Sequence, residues 1–132
     1  MASFHLDLVS PEKLLFSGEV EQVDIPGSEG DFGVLADHAP LIATLRPGIL
    51  TVYREGDALR VVVNGGFAEV GPTGLTVLAD YAVPIEDFDK AWLATEIGKA
   101  EEDAAKTPEG ATQDKLAHRV DQLKSLQTEL TQ

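Results

Sequence analysis

Apolar and polar residues alternate along the early part of the chain. Phe4, Leu6 and Leu8 alternate with His5 and Asp7, and Val23 and Ile25 flank Asp24. A period of two puts apolar side chains on one face of an extended segment, so these stretches predict half-buried strands. Four more short runs rich in Val, Ile, Leu and Thr follow turn signals. Residues 49–53 come after Arg46-Pro47-Gly48, and 59–63 after the hairpin turn Glu55-Gly56-Asp57. Residues 67–70 follow Asn64-Gly65-Gly66, and 75–78 follow Gly71-Pro72-Thr73-Gly74. Glycine tolerates positive φ and proline presets a negative one, which is what tight turns need. Short strands so spaced predict an antiparallel sandwich or barrel.

After Pro84 the period changes. Ten of the twelve glycines and six of the seven prolines precede Ile85, leaving the remainder free to form helices. Asp87 or Asp89 is placed to cap a first helix. Trp92, Ala100 and Ala104 recur at helical spacing, flanked by Leu93 and Ile97, with Glu101 and Glu102 on the wet side. Thr107-Pro108-Glu109-Gly110 ends that pattern. A second helix follows from Thr112, with Leu116, Val120, Leu123, Leu126 and Leu130 as one apolar stripe. The expected organisation is a β-domain over residues 1–84 and an antiparallel two-helix hairpin over 85–132. So small a helix pair buries little surface alone, which predicts docking on the sandwich or on another protein.

The charge sharpens the choice of partner. The chain carries a formal net charge of −13, with 12 acidic and 4 basic side chains in residues 1–84 and 11 and 6 in the rest. Such a chain is repelled by nucleic acid and anionic lipid, so neither is an expected ligand, whereas a basic protein surface is. Direct membrane insertion is not expected, because no apolar run approaches the roughly 20 residues that span a bilayer. The opening MASFHLDLVS shows neither the cationic start nor the apolar core of a targeting peptide. There is no cysteine, which excludes disulfides and thiolate chemistry.

Candidate chemistry is sparse. His5, His38 and His118 lie on a predicted strand, a loop and a helix, without the spacing of a helical metal site. No GxSxG nucleophile elbow occurs. The segment Gly27-Ser28-Glu29-Gly30-Asp31-Phe32-Gly33 is glycine-rich, but it lacks the Lys-Ser/Thr ending of a phosphate loop, and Glu29 and Asp31 repel phosphate. It does not match a calcium-binding loop either. It reads as a tight turn, or as an exposed acidic loop offered to a basic partner. No metal site and no catalytic residue is assigned.

Several segments, in order, resemble the epsilon subunit family of F-type ATP synthases, called delta in mitochondria. Leu8-Val9-Ser10-Pro11-Glu12 and Leu15-Phe16-Ser17-Gly18-Glu19-Val20 resemble its opening, and residues 26–35 its second signature. His38-Ala39-Pro40-Leu41, Pro47-Gly48, residues 65–70 and residues 76–80 follow at the family's spacing. The resemblance covers residues 4–84.

It implies a ten-stranded sandwich followed by two helices, in a non-catalytic rotor subunit that couples c-ring rotation to ATP synthesis through the gamma subunit. The turn of Glu29, Gly30, Asp31 and Phe32, with His38 nearby, is then expected to face the polar loops of the c-ring. The location implied is peripheral, on the cytoplasmic face of a bacterial inner membrane. In many relatives the hairpin extends toward the catalytic alpha and beta subunits and blocks ATP hydrolysis. Some relatives bind ATP through an Ile/Leu-Asp-x-x-Arg-Ala motif. Here that stretch reads Phe88-Asp89-Lys90-Ala91-Trp92-Leu93, so Trp92 replaces the arginine and the phosphates lose a bidentate partner. Asp89, Lys90 and Arg119 stay as a degenerate nucleotide site, and no cofactor is expected. The second helix sets only Lys115, Arg119 and Lys124 against Asp114, Asp121 and Glu129, so weak control of hydrolysis is expected. The alternative is a free-standing sandwich and hairpin that senses nucleotide.

Overall fold

The computed structural model describes residues 2–107 and 110–130. It divides into two compact units, Met1–Asp87 and Phe88–Gln132.

The first unit is a sandwich of two five-stranded sheets. One sheet holds β1 (Phe4–Val9), β2 (Leu14–Val20), β5 (Leu41–Thr44), β8 (Gly66–Gly71) and β9 (Gly74–Ala79), in the order β2-β1-β9-β8-β5. The other holds β3 (Gln22–Ile25), β4 (Phe32–Val34), β6 (Gly48–Arg54), β7 (Asp57–Val63) and β10 (Ala82–Pro84), in the order β10-β7-β6-β3-β4. A single 3-10 turn, Ile85–Asp87, follows β10.

Every expected strand is present, at the expected phase. Phe4, Leu6 and Leu8 are buried and His5 is exposed, and Val23 and Ile25 are buried on either side of half-buried Asp24. The core between the sheets is closed by Leu6, Leu8, Val23, Leu50, Val52, Val61, Leu75 and Val77, all essentially inaccessible. Each such side chain contributes about 1.5–3 kcal/mol by leaving water. Truncating Leu50 to alanine removes that and leaves a cavity, at about 2–5 kcal/mol. The expected antiparallel sandwich is present, with one parallel pairing inside it: β1 pairs with β2 antiparallel but with β9 in parallel. The N-terminal strand is inserted beside a strand distant in sequence, which no hairpin connection can do.

Glycines mark where backbones meet. Glu55-Gly56 turns β6 into β7, with Gly56 at φ 86° and Arg54 gripping Asp57 at 2.6 and 2.9 Å across the turn. Gly66, at φ 107°, starts β8 hard against β9.

The second unit holds α1 (Lys90–Lys106) and α2 (Ala111–Leu130). Asp89 caps α1, its Oδ1 accepting from the Ala91 amide at 2.9 Å. The buried stripe of α1 is Leu93, Ile97 and Ala100, with Trp92 half-buried. This corrects the expected stripe led by Trp92. Steps of four and three keep residues on one face, and Trp92 stands about 100° from Leu93. The facing stripe of α2 is Val120, Leu123 and Leu126, with Leu116 and Leu130 half-buried. Lys124 reaches Glu101 at 3.5 Å across the pair. In the link expected to break the helices, Pro108 and Glu109 lie outside the described residues.

Candidate functional site

The loop between β3 and β4 is a glycine-rich acidic turn held at its base. Pro26 and Gly27 are buried at its base, and residues 28–31 are exposed. The Gly27 amide donates to the Ile25 carbonyl at 3.0 Å and the Gly30 amide to the Gly27 carbonyl at 3.2 Å, so the loop closes on itself. Gly30 adopts φ 135°, a region L side chains rarely enter. The loop is also laced to the chain around the end of β5. The Ser28 amide donates to Thr44 O and the Arg46 amide to Pro26 O, both at 2.9 Å, and Gly27 bridges Leu45.

The two acids of this loop differ in use. Arg46 Nη2 donates to Asp31 Oδ1 at 2.6 Å, and Nε to the same oxygen at 3.2 Å. The side chains of Arg46 and Asp31 are 19% and 64% exposed, so the pair adds roughly 0–1 kcal/mol to stability, and its effect is on geometry. Glu29 is exposed and makes no hydrogen bond or ion pair among the described residues. Phe32 turns inward against the core and meets the His38 ring at a centroid distance of 6.3 Å. His38 Nδ1 donates to the Ala39 carbonyl at 2.7 Å. Glu29, Gly30, Asp31, Phe32 and His38 thus lie in one region, around Phe32. The residue the sequence reading passed over is Arg46, whose signal was its rarity, as one of 4 basic side chains in residues 1–84.

Two open cavities border this region. One of about 410 Å³ lies between the loop and β5, lined by Ser28, Glu29, Phe32, Leu41, Ile42 and Thr44. Another of about 700 Å³ is lined by Glu21, Gln22, Leu35, Asp37, His38 and Tyr53. Tyr53 donates its phenol to Asp24 Oδ2 at 3.0 Å, and that hydrogen bond holds its pKa above the ordinary 10.0.

A separate feature crosses the outer face of the first sheet. The register aligns Thr44 with Phe67, Phe67 with Leu78, Leu78 with Val9, and Val9 with Leu14. Aligned residues share a face, and Phe67, Leu78 and Leu14 are 42%, 38% and 57% exposed. Contiguous exposed apolar surface of this kind is a candidate contact surface. In the next row, His5 Nε2 lies 2.9 Å from Asp7 Oδ1, which also accepts from Ser17 Oγ at 2.7 Å. These hydrogen bonds hold Asp7 below the usual carboxylate range, the Ser17 bond most of all. Ser17 Oγ also lies 3.3 Å from His5 Nε2, and Glu19 Oε2 lies 3.5 Å from His5 Nδ1, so the four side chains form one polar cluster on the surface of β1 and β2.

On the hairpin, the nucleotide candidates are dispersed. The Asp89 carboxylate is engaged as a cap, Lys90 opens α1 exposed, and Arg119 lies exposed on α2. The Glu101–Lys124 contact sets the helix register and places Arg119 opposite the last turn of α1, about 24 Å along the axis from Lys90 at 1.5 Å per residue. Trp92 packs edge-on against Phe88 at 6.0 Å where the relatives' motif has arginine. Among the described residues no group of His, Asp and Glu is placed to hold a metal ion.

The class the fold defines is a two-sheet β-sandwich followed by a helical hairpin. A family model described as "ATP synthase, Delta/Epsilon chain, beta-sandwich domain" matches residues 3–85. The chain is 55% identical over 130 residues to the ATP synthase epsilon chain 1 of Nitrobacter hamburgensis, covering 98% of this chain and 96% of the relative. It is 54% identical over 131 residues to the ATP synthase epsilon chain of Rhodopseudomonas palustris strain BisA53, with 99% and 96% covered. A chain in the cryo-EM structure of the Euglena gracilis mitochondrial ATP synthase superposes with a TM-score of 0.77 at 30% identity, covering 98% of this chain and 82% of that one. A chain of the Tetrahymena thermophila mitochondrial ATP synthase shares the fold, with a TM-score of 0.71 at 12% identity and 99% and 98% covered. The chain belongs to the ATP synthase delta/epsilon family, as a non-catalytic, epsilon-type subunit.

Proposed function

We infer that the chain is a rotor subunit of a bacterial-type ATP synthase, seated against the gamma subunit and the polar loops of the c-ring. It passes c-ring rotation to gamma and carries out no chemistry itself. The observation that carries this reading is the relationship to epsilon chains over 98% of the sequence, sandwich and hairpin alike. The exposed Glu29, on a loop laced to the neighbouring strand, supports a contact with basic ring loops. The apolar row from Phe67 to Leu14 supports a lasting protein partner. A close-packed two-sheet core supports a stiff wedge able to bear torque.

The proposed location is the cytoplasmic face of the bacterial inner membrane, where partners hold the subunit peripherally. No helix among the described residues is long and apolar enough to cross a membrane. The hairpin is proposed as a weak regulator, reaching the alpha and beta subunits with few basic residues to oppose their acidic surfaces. The nucleotide-sensing alternative gains no support from Asp89, whose carboxylate is taken up as a cap.

The test is reconstitution. A complex stripped of this subunit should pump protons poorly on ATP, and adding back the full chain should restore pumping while lowering hydrolysis only slightly. Failure to rebind overturns the rotor reading. Strong suppression of hydrolysis overturns the weak-regulator part alone.

A further inference from the structure

We propose that Asp31 and Arg46 form a strap that positions the β3–β4 loop, so that Glu29 alone is the carboxylate offered to a partner. The proposal rests on the rotor reading for the partner's identity, but the strap is a property of the isolated sandwich.

The seat of the guanidinium is built into the fold. Arg46 Nη2 and Nε both donate to Asp31 Oδ1, at 2.6 and 3.2 Å, while Nη1 donates to the Pro47 carbonyl at 3.0 Å. Donors used on two sides of a planar group fix its orientation, which a lysine ammonium cannot match. A β-carbon on Gly48 would stand 2.9 Å from Arg46 Nη1 and 2.6 Å from Pro26 Cβ. Glycine at 48 therefore leaves room for the guanidinium beside the base of the loop. The base is already tied by the Ser28–Thr44, Arg46–Pro26 and Gly27–Leu45 backbone contacts. The ion pair ties the far side of the turn, beyond Gly30.

The two acids, on either side of Gly30, then divide the work. The Asp31 charge is shared with the Arg46 guanidinium through Oδ1, so it offers less to an incoming cation than Glu29 does. Glu29 stands exposed and without an ion pair among the described residues, on a turn whose ends are both held, and a preorganised loop loses less entropy on docking. Asp31 and Arg46 are positioning residues, and Glu29 is the contact residue.

Two measurements decide the matter. In the isolated full chain, hydrogen exchange at the amides of residues 28–31 should quicken in Arg46→Gln and Asp31→Asn and stay unchanged in Glu29→Gln. Unchanged exchange in the first two overturns the strap. In rebinding to the stripped complex at low and high salt, Glu29→Gln should bind several-fold more weakly and lose most of the salt dependence. The charge-neutral double variant Asp31→Asn/Arg46→Gln should weaken binding several-fold with the wild-type salt slope, and Arg46→Lys should lose less than the double variant. A salt slope lost in that double variant as fully as in Glu29→Gln makes Asp31 a contact residue and overturns the division of roles. A wild-type chain that does not rebind overturns the rotor reading and the Glu29 assignment with it, while hydrogen exchange still judges the strap.

Discussion

Gly66 lies so close to β9 that a β-carbon there would stand 2.2 Å from the Leu78 carbonyl oxygen. With φ at 107°, any side chain at this position meets both a clash and backbone strain. Gly66→Ala should destabilise the sandwich by about 2–4 kcal/mol, which urea denaturation would read. A loss under 1 kcal/mol, against the roughly 1 kcal/mol of an ordinary substitution, would show that the strands part easily.

The cap on α1 separates two roles for Asp89. As a cap, Asp89→Ala should cost the hairpin about 1 kcal/mol and Asp89→Asn much less, because asparagine caps nearly as well. Helical circular dichroism through thermal melting would check this. If the asparagine variant lost as much as alanine, a role for the negative charge would replace the capping account.

Titration calorimetry of the full chain with MgATP should give no binding heat. The carboxylate of Asp89 is engaged, Trp92 offers no cationic fork, and Arg119 stands on the other helix. Millimolar or tighter binding would overturn this and restore a nucleotide-sensing hairpin.

Asp7 provides a pH dependence with a definite sign. Its folded-state pKa is lowered from 3.8, chiefly by the Ser17 hydrogen bond and then by His5. A depressed carboxylate stabilises the fold above its unfolded pKa, and that stabilisation fades as pH falls through the folded value. Asp7→Asn should therefore be less stable than wild type at neutral pH, and the gap should close below pH 3.8. A gap independent of pH would mean that packing, not charge, sets the difference.

The legible parts of the fold are those set by local chemistry. Alternation at Phe4, Leu6 and Leu8 gave β1 its buried face, and Glu55-Gly56-Asp57 marked the hairpin. Three-residue strands such as β4 and β10 are too short to show a period. The parallel pairing of β1 with β9 is a property of the whole domain and leaves no local trace. The site followed the same rule. The exposure of Glu29 was readable from its glycine-flanked turn, whereas the fate of Asp31 depended on Arg46, a residue brought near only when β5 and β6 are in place.

The inner position of β1 also bears on how the chain can be made. β1 leaves the ribosome before the nine strands that follow it, yet one of its edges stays unpaired until residues 74–79 have been synthesised. Until then Leu6 and Leu8 have no complete core to enter, and only β2 is available as a neighbour. The nascent chain therefore carries an open, apolar strand through most of the domain's synthesis, a period in which slowed translation or a missing chaperone exposes it to aggregation.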